Sequence, residues 1–485
     1  MTGTSDSMPP QLGSEDLQVE KVVCVIKSPL DTTLYEILSL EEREHDGVKS
    51  FEVTTQPSAQ PPQSLLDELL VENVPDYLCE SDTRKVHVVV STGSGTALAQ
   101  SFYQSALRPV LEKFGLAAAN TSSDGPSVSH AASDTGTYAL TITQDAQSIR
   151  RFARDLSMST KGLHGSGMQH TVVLLSGDGG IVELLNGKAP IDEVGMSDTS
   201  RPLIIMLPLG TGNALFHSLH KPLYATAGSA EPSPLVLGLR TLLKGQTAPL
   251  PSFRVDFSAG SRTITYVDPA KDHSSGSEQG IQEQSNAATH LYGAIVASYG
   301  FHSQLVWESD TPEYRKHGAQ RFQMVAAELL KESHAYNATV ELSSTGESTS
   351  KKLDRGQHAY ILATMVSNLE KTFTISPASI PLDGKLRLIH FGAVGGQKTM
   401  DIMMQAYNNG NHVGMEWTAD DGRPERVGYD EVKQVKVTTD EADARWRKVC
   451  IDGTIVEIPK GGSMTIATEE HPHLQVLVHQ SLKAA

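Results

Sequence analysis

The chain has 485 residues, 39% of them hydrophobic, and a formal net charge of −17. That length allows two or three domains with substantial cores. So acidic a balance argues against nucleic acid as a standing partner, and against constitutive electrostatic attachment to an anionic membrane, because both need clustered Lys and Arg. Three scattered cysteines, Cys24, Cys79 and Cys450, lack CxxC spacing and suggest neither a zinc site nor a disulfide framework. No basic-then-apolar signal pattern opens the chain and no apolar run reaches membrane-spanning length, so a cytoplasmic protein is expected.

Residues 1–19 read as a disordered tail, and 1–82 as a partly disordered N-terminal extension with short strands at 22–26 and 51–54. The Pro- and Gln-rich run 56–63 reads as a linker. Between about 85 and 220 apolar strands alternate with helical spacing, the pattern of a parallel α/β sheet, giving a first domain over 83–225. Polar loops interrupt it at 122–137 and 225–234.

Three strand ends in this region run into glycine turns. VHVVVSTGSG places Gly93, Ser94 and Gly95 after a strand, and the following helix spaces Phe102, Leu107, Val110 and Phe114 along one face. HTVVLLSGDGGIVELLNG places Ser176, Gly177, Asp178, Gly179 and Gly180 between a strand and a helix. RPLIIMLPLGTGNALFHSL repeats the arrangement with Gly210, Thr211, Gly212 and Asn213. Strand, glycine turn and helix start together present backbone N–H groups to phosphate, and ligands bind at the carboxyl edge of such sheets. One such turn equally serves to reverse the chain; three in succession favour a nucleotide site.

Past about residue 250 short β-rich runs separated by Gly, Pro and acidic turns predict an antiparallel β-rich domain over 249–480. Within it, 268–288 is polar enough to be a disordered loop.

On these motifs the chain resembles the diacylglycerol kinase catalytic-domain superfamily, and within it most closely the sphingosine (sphingoid long-chain base) kinases. Ser176, Glu183, Asn186 and Gly187 match the sphingosine-kinase form of the glycine-aspartate-glycine loop, and LPLGTGNALFHSL is similar to the same subfamily. SYGFHSQLVWESDTPEYRKHGAQRF resembles the segment that joins lipid recognition to phosphate contact, and CIDGTIVEIP resembles the C-terminal Asp-Gly-Glu motif. The resemblance implies a Rossmann-like α/β nucleotide-binding domain and a sandwich-like β lipid-binding domain, with the active site in the cleft between them. It implies ATP and Mg2+ as cofactors, a long-chain lipid as partner, and transient contact of a cytoplasmic enzyme with a membrane surface. Nothing in the sequence sets an oligomeric state.

By the same resemblance Asp178 orients or deprotonates the acceptor hydroxyl; the alternative is a turn aspartate capping a helix. Ser94, Gly95, Ser176, Gly177, Gly179, Gly180, Gly210, Thr211, Gly212, Asn213, Asp452 and Gly453 form the nucleotide site, and Arg315 and Arg321 contact the β- and γ-phosphates. Those arginines also suit an ordinary surface. Glu183 and Asp452 hold Mg2+ through water or serve as salt-bridge carboxylates. Val296, Phe301, Val306 and Glu308 line the lipid site.

Four departures bear on substrate and activity. Val306 and Val296 stand where sphingosine kinases read the amine and hydroxyls, with Glu308 and Asp310 close by as the other candidates. Thr454 replaces the motif glutamate, Gly180 replaces the superfamily threonine, and Asp383-Gly384 suits diacylglycerol-kinase-type members better. The reading is an ATP-dependent kinase for the primary hydroxyl of a sphingoid base. The alternatives are diacylglycerol or another acyl lipid as acceptor, a related NAD or sugar kinase, and a catalytically weak lipid-sensing pseudokinase.

Overall fold

A computed structural model describes residues 17–482 apart from 94, 120–135, 146, 160–167, 188–200, 225–229, 268–281, 319, 345–349 and 420–421. Ser94, the tail to residue 16 and most of the three expected polar loops therefore lie outside the described residues.

The N-terminal extension is ordered from Val19 onward. Strands β1 (Val22–Lys27), β2 (Tyr35–His45) and β3 (Val48–Ser58) form a three-stranded antiparallel sheet. Asp46 and Gly47, both at positive φ, join β2 to β3 in the two-residue hairpin that Asp-Gly favours. Half of the expected linker at 56–63 is regular structure, since β3 runs to Ser58 and a helix spans Gln63–Leu69. This sheet docks on the next domain: Arg240 of the helix Pro234–Lys244 donates to the carbonyls of Val22 (2.8 Å) and Val19 (2.7 Å), and Phe51 meets the Phe102 ring edge-on at 5.1 Å.

Strands β4 (Arg84–Val90), β5 (Leu116–Ala118), β6 (Gly136–Ile142), β7 (Gln169–Ser176), β8 (Leu203–Pro208) and β9 (Gln246–Leu250) belong to a seven-stranded sheet. Its order is β5-β6-β4-β7-β8, then the last strand Leu474–Val478, then β9. All neighbours are parallel except the last strand and β9. Val-, Ile- and Leu-rich β4, β7 and β8 are buried on both faces, which explains their continuous apolar runs. Leu474–Val478, expected in the β-rich domain, instead returns to this sheet. Its neighbours Ile204 and Leu250 bury Leu474 and Val476.

Most strands of the remainder join in one 14-stranded antiparallel sheet, running from Phe253–Phe257 to Ser463–Thr468. Residues 282–287 of the expected loop are a strand, paired with Arg262–Val267. Val296–Gly300 sits between Gln357–Thr364 and Lys448–Ile451, and the helix Phe301–Ser309 follows it directly. Among the described residues no helix is long and apolar enough to cross a membrane.

Candidate active site

β4, β7 and β8 are neighbours, so their three glycine turns emerge side by side. They are in contact. A Cβ on Gly177 would lie 2.8 Å from the Cα of Gly210, a Cβ on Gly210 would strike Gly177, and one on Gly95 would strike Thr211. Thr96 also donates its hydroxyl to the Leu209 carbonyl. Glycine at 177 and 210 is thus dictated by backbone approaching backbone. Gly180 has its own reason, because a Cβ there would lie 2.7 Å from the Ser176 hydroxyl; serine at the first turn position and glycine at the fifth fit each other. Gly179 is exposed, with open space about it.

Asn213 adopts a left-handed conformation (φ 54°), which asparagine tolerates. Its side-chain oxygen accepts from the Gly210 N–H and its amide donates to the Gly210 carbonyl, both at 2.9 Å, which holds the third turn shut.

Asp178 opens the helix Asp178–Asn186 but caps a different one. Its carboxylate accepts the N–H groups of Ala214 (2.7 Å) and Leu215 (3.1 Å) at the start of the helix Ala214–His220. Burial raises its proton affinity, and those two N–H groups offset part of the rise. Gly212 packs beside it: a Cβ there would stand 3.9 Å from the Asp178 carboxylate and 3.2 Å from the Leu369 carbonyl of the β domain.

Asp452 arrives from the opposite side. With Gly453 it forms a second positive-φ hairpin, joining Lys448–Ile451 to Thr454–Glu457. Its carboxylate accepts from the N–H groups of Ala294 (2.6 Å), Ile295 (3.1 Å) and Val296 (2.6 Å). Burial pushes this carboxyl up to about 7, the three N–H groups pull it back, and the negative charge of Asp178 adds to the rise. The two acids therefore sense one another across the cleft.

Other expected site residues have partners of their own. Glu183 is paired with Arg150 at 2.9 Å on the far side of its helix; burial raises its proton affinity and Arg150 opposes that. Glu308 accepts from Gln304 (2.6 Å) and pairs with Arg445 (3.0 Å). Arg315 clasps Asp310 through two bonds of 2.9 and 2.6 Å, which raises its own proton affinity. Arg321, six residues on, senses the Arg315 charge, stacks over Phe322 at 4.8 Å, and has a buried Nε with no hydrogen-bond partner among the described residues. Val296 and Val306 lie in different apolar clusters, Val306 packing with Trp307 against Ile264, Cys450 and Ile455. Phe301 lines a small cavity with Leu329, Tyr336, Ala359 and Trp446.

The turns bring the starts of two helices, Asp178–Asn186 and Ala214–His220, to one edge of the sheet, a chemistry that suits an anion, while the contacts that their glycines allow are with each other. The site residues do not fit a built divalent-cation site. No group of three His, Cys, Asp or Glu side chains comes together among the described residues, and both expected ligands are already bonded.

Residues 85–231, which contain all three turns, match the family of the diacylglycerol kinase catalytic domain. The match is confined to the nucleotide domain. No curated protein matches the chain. The chain is similar to three solved structures from Bacillus anthracis str. Sterne described as diacylglycerol kinases. They show 12%, 10% and 12% identity over 83% of this chain and 100% of theirs, with TM-scores of 0.47, 0.45 and 0.46.

Two features of the candidate site were beyond sequence reasoning. Asn186 was visible only as a motif match, yet its amide bridges to the β domain, bonding the Tyr292 carbonyl (2.8 Å) and N–H (2.9 Å). Ser218 bonds the backbone of Asn368 in the same way. Neither contact leaves a local signal, because the partner is backbone more than a hundred residues away.

Proposed function

We propose that the chain transfers the γ-phosphate of ATP to the primary hydroxyl of a long-chain lipid, with a sphingoid base as the leading acceptor. The observation that carries the reading is Asp178 at the junction of three glycine turns, a carboxylate of raised proton affinity beside a phosphate cradle. Phosphoryl transfer asks mainly for positioning and charge stabilisation. Backbone donors of the turns would hold the phosphates. Asp178 would accept the hydroxyl proton while the N–H groups of Ala214 and Leu215 hold its carboxylate in place. Arg321, with its unpartnered nitrogen, and Arg315, once released from Asp310, would meet the charge spreading over the transferred group. No step is assigned to a metal ion.

The sphingoid acceptor is supported by the side chains shared with sphingosine kinases around the glycine turns. A second reading, a neutral acceptor such as diacylglycerol, is favoured by one observation. Glu308 and Asp310, the carboxylates nearest the lipid segment, are both held by arginines, and an acceptor ammonium taken out of water without a free carboxylate would lose hydration without a partner. Either acceptor resides in a membrane, so the reaction implies a cytoplasmic enzyme touching that surface transiently. Transfer from radiolabelled ATP to sphinganine, sphingosine, diacylglycerol and ceramide separates the readings. Label in none of the four would overturn the lipid-kinase assignment.

A further inference from the structure

Two side chains of the nucleotide domain grip backbone of the β domain in the same manner, and both stand on helices that bear the site. Asn186 closes the helix that begins with Asp178. Its amide matches the Tyr292 N–H and carbonyl at 2.9 and 2.8 Å, as a neighbouring strand would, and its Nδ2 also donates to Val182 at 3.0 Å. Ser218 stands in the helix whose first N–H groups hold Asp178. Its hydroxyl donates to the Asn368 carbonyl at 3.1 Å and accepts the Asn368 N–H at 3.0 Å, fully buried.

What these grips reach is the rest of the site. Tyr292 is two residues before Ala294, whose N–H holds Asp452 at 2.6 Å. Asn368 precedes Leu369, whose carbonyl faces Gly212. Each grip therefore ties a helix that bears or holds Asp178 to a β-domain segment beside the site: Asn186 to the stretch that holds Asp452, and Ser218 to the stretch that faces Gly212.

We infer that Asn186 and Ser218 are positioning residues for phosphoryl transfer: they fix the two domains so that Asp178 and Asp452 stand together over the acceptor and the third glycine turn. They touch neither nucleotide nor acceptor and act through the backbone they hold. The inference rests on the lipid-kinase reading for its kinetic arm alone. A displacement of about an ångström in a reacting group lowers turnover by on the order of a hundredfold, whereas the three glycine turns all lie within the nucleotide domain. Loss of a grip is thus expected in kcat, with affinity for ATP preserved.

The test uses the full chain with Asn186→Ala, Asn186→Asp and Ser218→Ala. Asn186→Asp keeps an acceptor for the Tyr292 N–H but turns a second oxygen on two carbonyls, so it should be no better than alanine. Each variant should lower kcat by about tenfold to a hundredfold with KM for ATP within about twofold. Amide hydrogen exchange should rise at 292–296 in the Asn186 variants and at 368–369 in Ser218→Ala, with β7 unchanged. Wild-type kcat, or a KM for ATP that rises while kcat holds, overturns the inference, as does unchanged exchange at both segments. Should Asn186→Ala not fold, Ser218→Ala decides. A wild type inactive on every lipid sinks the kinase reading, and exchange then decides the grips by itself.

Discussion

Asp178 and Asp452 come from different domains and yet feel one another's charge. Each is held by backbone N–H groups, Asp178 by the helix after β8 and Asp452 by the start of the strand Val296–Gly300. Neither carboxylate is free to swing. Removing the Asp178 charge therefore lowers the proton affinity of Asp452.

Asp178→Asn should lower turnover by about a hundredfold or more, because the proton acceptor is lost. The substitution is not structurally silent. An amide turns one NH2 toward an N–H donor of the Ala214 helix, so about 1 kcal/mol of stability should go as well. Single-turnover kinetics on the folded variant check the first effect and urea unfolding the second. More than about a tenth of wild-type turnover would remove Asp178 from the general-base role.

Asp452 sets a pH dependence of stability. An unfolded aspartate titrates near ~3.9, while this one is pushed up to about 7 in the fold. Between those values the folded chain keeps a proton that the unfolded chain has released. Stability from this group therefore falls as pH rises through that window and levels off above it. Urea midpoints of wild type relative to Asp452→Asn should decline from about pH 4 to about pH 7. A difference that does not vary with pH would show that Asp452 is ionised throughout.

Arg321→Ala should damage catalysis more than Arg315→Ala, since Arg315 already has Asp310 while the Arg321 Nε has no partner among the described residues. Expected for Arg321→Ala are a higher KM for ATP and a turnover lower by about tenfold or more. Asp310→Asn should bring out a larger share for Arg315. If the loss follows lipid affinity instead, these arginines belong to the acceptor site.

Gly212→Val should weaken ATP binding and strain the domain contact together, because its Cβ would stand 3.2 Å from the Leu369 carbonyl. Titration calorimetry on the folded variant should show affinity reduced by about tenfold, the β-branched side chain crowding the turn. Unaltered affinity with lowered stability would assign the turn to packing alone.

Val306→Asp should cost about 1–3 kcal/mol, since the new carboxylate meets Ile264, Cys450 and Ile455. It should not raise preference for sphingosine. A variant of wild-type stability that gains sphingosine turnover would place position 306 at the acceptor amine after all.

The parallel strands and their glycine turns were legible because each is local: an apolar run, then Gly, Ser or Asn within a few residues. In the N-terminal sheet β1 and part of β3 were read at 22–26 and 51–54, but β2 was not, because it carries the charged run Glu41 to His45 on its exposed end and pairs with β3 through a hairpin that only register reveals. Leu474–Val478 was assigned to the wrong sheet because an apolar strand carries no mark of which neighbour it will find.

The same division runs through the site. Sequence by itself determined the residue types that phosphate and proton transfer require: the three glycine turns, Asp178 among them, and a pair of arginines six residues apart. The tertiary structure decided which groups remain free. It tied Glu183 to Arg150, Glu308 to Arg445 and Arg315 to Asp310, and it set Asp178 against Asp452 through Asn186 and Ser218. Glycine turns are fixed by local backbone sterics and so are written in adjacent residues. A carboxylate's partner and its proton affinity depend on burial and on charges brought from far along the chain, and those exist only once the domains have packed.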